Sequence, residues 1–146
     1  MQILPDRDPL TGVTPSRHPF QFWVLFFLGL SGATVAFNLG QPGSLTELMP
    51  QIVVRTWGAT VMLGGIVGIA AGWWKDRITG LLLERIALAA VGGMTGVYGF
   101  VLMGVAGGVG IFSGFLALSV TVASFWRIIH VNRELKVLTR WIEQNL

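Results

Sequence analysis

Charged side chains inside apolar stretches are the residues of this chain that could do chemistry. Glu84 and Arg85 stand about one turn inside an apolar run that extends from Gly80 to Met103. A charge at the centre of a membrane span costs about 2.5–3.5 kcal/mol on insertion scales, so such an acid is a candidate proton or ion site by default. The shallow position favours a second interpretation, in which the two residues reach the membrane surface or pair with Arg77 or Arg127.

The remaining charged residues near apolar runs fit the boundary between membrane and water. Arg55 lies three residues into an apolar run, where a headgroup anchor is favoured over a selective pore mouth. His130 stands at the exit of a helix, a position typical of an interfacial polar residue. The predicted interfacial charged residues are Arg55, Lys75, Asp76, Arg77, Glu84, Arg85 and Arg127.

Enzyme chemistry has no candidate residues. The sequence shows no serine, histidine and aspartate arrangement, no paired carboxylates and no cluster of metal ligands, and it contains no cysteine. Gly108 and Gly110 form a G-x-G pattern, but Ser113 stands where the third glycine of a dinucleotide loop belongs, and no strand precedes it. We therefore expect neither an enzyme nor a cofactor, a metal or a catalytic residue.

The composition predicts an all-α integral membrane protein. Of the 146 residues, 53% are hydrophobic and only 12% are charged, whereas a soluble domain has about 25% charged residues. About 20 apolar residues in a helix cross the hydrocarbon layer. We predict a four-helix transmembrane bundle at 20–131, with spans at 20–39, 52–74, 80–103 and 111–131 and a glycine turn at 105–110. A proline-rich polar arm at 1–19 precedes the bundle, and a cytoplasmic amphipathic helix at 132–146 follows it.

Small residues at four-residue spacing predict close helix packing. Gly64, Gly68 and Gly72 share one face of the second span, and the third span repeats the spacing in the pairs Ala89 with Gly93 and Gly92 with Gly96. Because the two spans are consecutive and antiparallel, we expect these two faces to pack against each other.

The C-terminal tail has an amphipathic pattern. Its apolar residues recur in steps of three and four, with charged residues between them. The pattern favours a helix that lies on anionic lipid or a short coiled coil that joins protomers, and it does not favour nucleic-acid binding. The residues concerned are Ile128, Val131, Leu135, Leu138 and Ile142.

The distribution of basic residues predicts the orientation. With four spans, nine of the ten lysines and arginines share one side of the membrane, and only Arg55 lies opposite. The positive-inside rule then places both termini in the cytoplasm.

The run Trp73 to Arg85, preceded by the run Pro19 to Leu25, resembles small four-span membrane proteins of actinobacterial bacteriophages. The resemblance covers most of the chain. Several of those proteins are similar to holins, which accumulate in the inner membrane of the bacterial host and permeabilise it so that the phage endolysin reaches the cell wall. It therefore implies a homo-oligomer that acts in host cell lysis with the lipid bilayer as its partner.

Two alternatives belong to other classes. One is a structural or regulatory phage membrane protein, for example an exclusion or immunity protein, that binds another membrane protein through its arm and tail. The other is a small channel or transporter subunit. The lack of mid-span charges and of proline-broken helices disfavours the transporter.

Overall fold

The described part of the protein contains four helices. The computed structural model describes residues 19–40, 49–105 and 107–145, and all regular structure within these ranges is α-helical. The predicted all-α class is therefore confirmed, while residues 1–18 of the predicted arm lie outside the described residues. The helices are α1 (Pro19–Ala36), α2 (Gln51–Trp73), α3 (Arg77–Val105) and α4 (Gly107–Asn145).

Three of the helices are long and apolar enough to cross a membrane. These candidate spans are Gln51–Trp73, Arg77–Gly104 and Gly110–Gln144. The apolar part of α1, Phe20–Ala36, is shorter. These properties agree with membrane integration, because a helix satisfies all of its own backbone hydrogen bonds where no water is present.

α1 ends three residues before the predicted boundary because Asn38 stops it. Asn38 has a positive φ of 60°, a backbone conformation that asparagine adopts more readily than most residues. The Leu39 N–H donates to the Thr34 carbonyl at 2.8 Å, and the Asn38 N–H donates to the Val35 carbonyl at 3.2 Å. These two bonds form a Schellman motif, which satisfies carbonyls that the helix end leaves open.

α3 begins three residues before its predicted start because Asp76 caps it. The Thr79 N–H donates to Asp76 Oδ2 at 2.9 Å, and the Thr79 hydroxyl donates to the same oxygen. These hydrogen bonds, that of the hydroxyl foremost, hold the pKa of Asp76 below its ordinary value. The cap satisfies one of the open N–H groups at the helix start and shortens the connection from α2.

α4 is one continuous helix from Gly107, so Gly107 to Gly110 form its first turn, where the sequence predicted a loop. Its C-terminal part packs alongside the N-terminal part of α3. Val131 and Leu138 are buried there with Leu81, and Leu135 packs against the same cluster. This part of the predicted apolar stripe is therefore occupied within the protomer, so it is not the surface that would join protomers.

Each helix packs chiefly on its neighbours along the chain, in the order α1, α2, α3, α4. The closest approach joins α1 to α2. A Cβ atom added at Gly65 would lie 2.7 Å from Gly29 Cα, and one added at Gly32 would lie 2.7 Å from the Gly58 carbonyl oxygen. Only glycine permits this backbone contact at these positions.

The expectation that the small residues of α2 and α3 face each other fails on the α3 side. Gly64 does meet α3, where an added Cβ would lie 2.8 Å from Val91 Cγ2. Gly68 instead meets both α1 and α3, with Leu25 Cδ1 at 2.9 Å from its added Cβ. Gly72 is half-buried and lines a cavity that also reaches Glu84.

On α3, the predicted small residues belong to two different surfaces, and neither covers α2. Gly92 packs on Ser124 and Gly96 packs on Thr121, both on α4. Ala89 is exposed, and an added Cβ at Gly93 meets nothing within 4 Å. Four-residue spacing shows that a helix face can pack closely, but it does not say which neighbour packs there.

Candidate functional site

Glu84 is the most unusual residue of the described bundle. Its relative exposure is 0%, and it is among the largest fully buried side chains. α3 begins at Arg77, so Glu84 lies about 10 Å into the helix. Removing an ion from water costs several kcal/mol unless partners compensate the charge. The partners of Glu84 therefore decide what the site can do.

Three helices converge on the Glu84 carboxylate. From α4, Arg127 Nε donates to Oε1 at 2.9 Å and Nη2 donates to Oε2 at 3.5 Å. From α1, the amide Nε2 of Gln21 donates to Oε1 at 2.8 Å. The guanidinium compensates the charge, and the amide ties α1 to a site otherwise formed by α3 and α4. Of the two interpretations from the sequence, the structure shows the pairing with Arg127.

The network continues toward the end of the bundle that carries Lys75, Arg77 and Arg133, which is called the basic end. Arg127 Nη1 lies 3.4 Å from Glu134 Oε1, and Arg77 Nη2 lies 4.0 Å from Glu134 Oε2. Beside it, Arg85 Nη1 donates to Asn132 Oδ1 at 3.2 Å. Two carboxylates and two guanidinium groups thus alternate along this line, which keeps the local charge balanced.

A cavity of about 270 Å³ reaches this network from the basic end. Trp73 and Trp74 stand at its rim, both exposed, and Glu84 and Arg127 line its inner part. Tryptophan is enriched at the level of lipid headgroups. The network therefore lies at the inner end of a cavity whose exposed rim carries two tryptophans.

The described part of the bundle holds few buried polar side chains besides Glu84. The other buried polar side chains there are Thr95 and Ser124. Thr95 lies about three turns farther along α3 and donates to the Val91 carbonyl at 2.9 Å. The site holds three helices together through the Glu84 carboxylate.

The other predicted polar residues remain apart from this network. Arg55 and Lys75 are exposed. His130 is exposed, with Nδ1 at 3.1 Å from the Trp126 carbonyl oxygen. Within the described ranges, no three histidine, cysteine, aspartate or glutamate side chains come close enough to hold a metal ion.

Sequence reasoning missed Gln21 and Glu134 as members of the network. Gln21 gave one signal, since it is a lone polar residue among Phe20, Phe22 and Trp23 at the start of an apolar run. Glu134 gave none, because it stands among other charged residues of the tail.

The comparisons with known proteins add no relative. No protein-family model matches the chain, no curated protein matches it, and no solved structure matches it. The resemblance to phage membrane proteins therefore stays a prediction.

Proposed function

We propose that the protein is a holin-like, four-span protein of the bacterial inner membrane, encoded by a phage, that assembles from many copies and permeabilises the membrane. Here α1 is the fourth span. Its 18 residues extend about 27 Å, close to the thickness of the hydrocarbon layer. No enzymatic step and no cofactor are part of the proposal.

The observation that carries the proposal is the bare surface of α4. Only 11% of the residues in the most apolar 18-residue stretch of α4 are buried inside the protein, compared with 44% for the corresponding stretch of α3. The uncovered side presents large side chains along the length of the helix. A protomer therefore offers one long apolar face that lipid or further copies must cover. The exposed residues include Phe112, Phe115, Val122, Trp126 and Ile129.

The interior of the protomer supports assembly as the source of permeability. The buried polar residues among those described are Glu84, Thr95 and Ser124, and Thr95 is hydrogen-bonded to carbonyls of α3 and to Thr121 of α4. Passage of solutes would then take place between protomers, as the uncharged sequence at the α3–α4 junction also suggests.

Induced expression in a bacterial host tests the proposal. We expect growth to stop abruptly after a lag, with loss of membrane potential and release of a co-expressed endolysin. Phe115→Ala should delay this event by weakening contacts through α4. Phe100→Ala is the matched control, because Phe100 is 68% exposed on α3 and Phe115 is 61% exposed on α4. Abundant protein in the membrane with a normal potential and no endolysin release would contradict the proposal.

Topology tests the number of spans separately. Reporter fusions at the N-terminus and at the C-terminus should both report the cytoplasm, because four spans place the basic segments on one side. If α1 does not cross the membrane, the three remaining spans put the two reporters on opposite sides. That result would contradict the four-span arrangement, and it would leave the outcome of the induced-expression experiment unaffected.

A further inference from the structure

A groove of about 620 Å³ separates α1 from α4, with α3 as its floor. It exists because α1 packs chiefly on α2 and α4 packs chiefly on α3, which leaves the two outer helices apart. Its volume lies within the range of roughly 300–1,000 Å³ that is usual for small-molecule sites. The apolar walls include Leu25 and Leu28 on α1, Leu88 and Val91 on α3, and Val120 and Ala123 on α4.

One end of the groove carries an amide and a guanidinium group, and the rest is lined by apolar side chains except for two serines, Ser119 and Ser124. Gln21 and Arg127 mark the polar end, at the level of the buried network. From there the lining runs to Leu28 on α1 and to Ser119 on α4, a length of about 10–12 Å along either helix. One leaflet of hydrocarbon is about 15 Å deep, half of the 30 Å layer. The groove therefore has the polarity and approximately the depth of one leaflet.

We propose that this groove binds one phospholipid from the leaflet on the basic side of the protein. An acyl chain fills the apolar part, and the phosphate lies at Arg127. The described contacts of Arg127 use three of its five N–H donors, and its side chain is 31% exposed. Donors therefore remain for a phosphate oxygen. The proposal rests on membrane integration and is independent of permeabilisation.

A second copy of the chain fits this groove less well. A helix from another protomer would pack along most of a span, whereas the groove extends over about half of one. Its polar end would also face the apolar surface of the incoming helix. A lipid matches both features, because its own polar group lies at the same depth as Arg127.

Phospholipid retained by the purified full chain tests the proposal. After extensive detergent washing, mass spectrometry should find one phospholipid for each protomer. Ala123→Phe places a ring in the groove and should reduce retention about tenfold, the effect of losing roughly 1.4 kcal/mol of binding. Ala89→Phe is the matched control, because Ala89 is exposed on α3 outside the groove and should leave retention unchanged. Equal retention in the two variants would overturn the proposal.

A cysteine crosslink covers the case in which Ala123→Phe fails to fold. The chain has no cysteine, so Ala123→Cys introduces a single thiol that faces the groove. In vesicles of phosphatidylglycerol and phosphatidylethanolamine, oxidation should give no disulfide-linked dimer when lipid fills the groove. Efficient dimerisation through Ala123→Cys, with none through Ala89→Cys, would show a second copy there and would refute lipid binding.

Discussion

Arg127→Ala should lower the free energy of unfolding by about 3 kcal/mol, the lower end of the range for breaking a buried ion pair. The reason is that Glu84, at 0% exposure, would lose both guanidinium hydrogen bonds and the opposite charge that compensates its burial. The lower end applies because the Arg127 side chain is 31% exposed. Circular dichroism during unfolding of the purified chain in detergent measures the loss.

Arg133→Ala is the matched control. Arg133 is exposed on the same helix and forms no ion pair with the described residues, so its replacement should stay within about 0.5 kcal/mol. The double variant Glu84→Leu with Arg127→Met should recover most of the lost stability, because an apolar pair of similar volume needs no charge compensation. If both arginine variants behave alike, the ion pair does not stabilise the bundle.

Gly65→Ala should destabilise the protein by about 2 kcal/mol, as expected for overpacking. Its Cβ would lie 2.7 Å from Gly29 Cα and 2.8 Å from the Leu25 carbonyl oxygen. Both are backbone atoms, so relief requires α1 to move away from α2. The displacement would also strain the hydrogen bond from Gln21 to Glu84, which depends on the position of α1. The same unfolding measurement applies.

Gly93→Ala is the matched control for Gly65→Ala. Gly93 lies within α3, and an added Cβ there meets nothing within 4 Å. Alanine is about 1 kcal/mol better than glycine inside a helix, so this variant should be as stable as the parent or more stable. Equal losses in Gly65→Ala and Gly93→Ala would mean that the backbone contact between α1 and α2 is absent.

The sequence by itself determined the class of the protein. Long apolar runs with few charges must satisfy their backbone hydrogen bonds internally, which predicts helices. The predicted second span, 52–74, differs by one residue at each end from α2. The apolar steps of three and four after Ile128 predicted that the fourth helix continues beyond the membrane, and α4 does run unbroken to Asn145.

Only the tertiary structure decided which surfaces meet. Gln21 and Glu84 are 63 residues apart, and Glu84 and Arg127 are 43 apart. Their convergence depends on the rotation and the register of three helices. Helical periodicity places residues on a face of their own helix, but the neighbour of that face is set by packing of all helices together. For this reason the sequence could suggest Arg127 as a partner of Glu84. The folded bundle was needed to show three other features: the contacts of Gln21, the glycine pairs of α1 and α2, and the groove between α1 and α4.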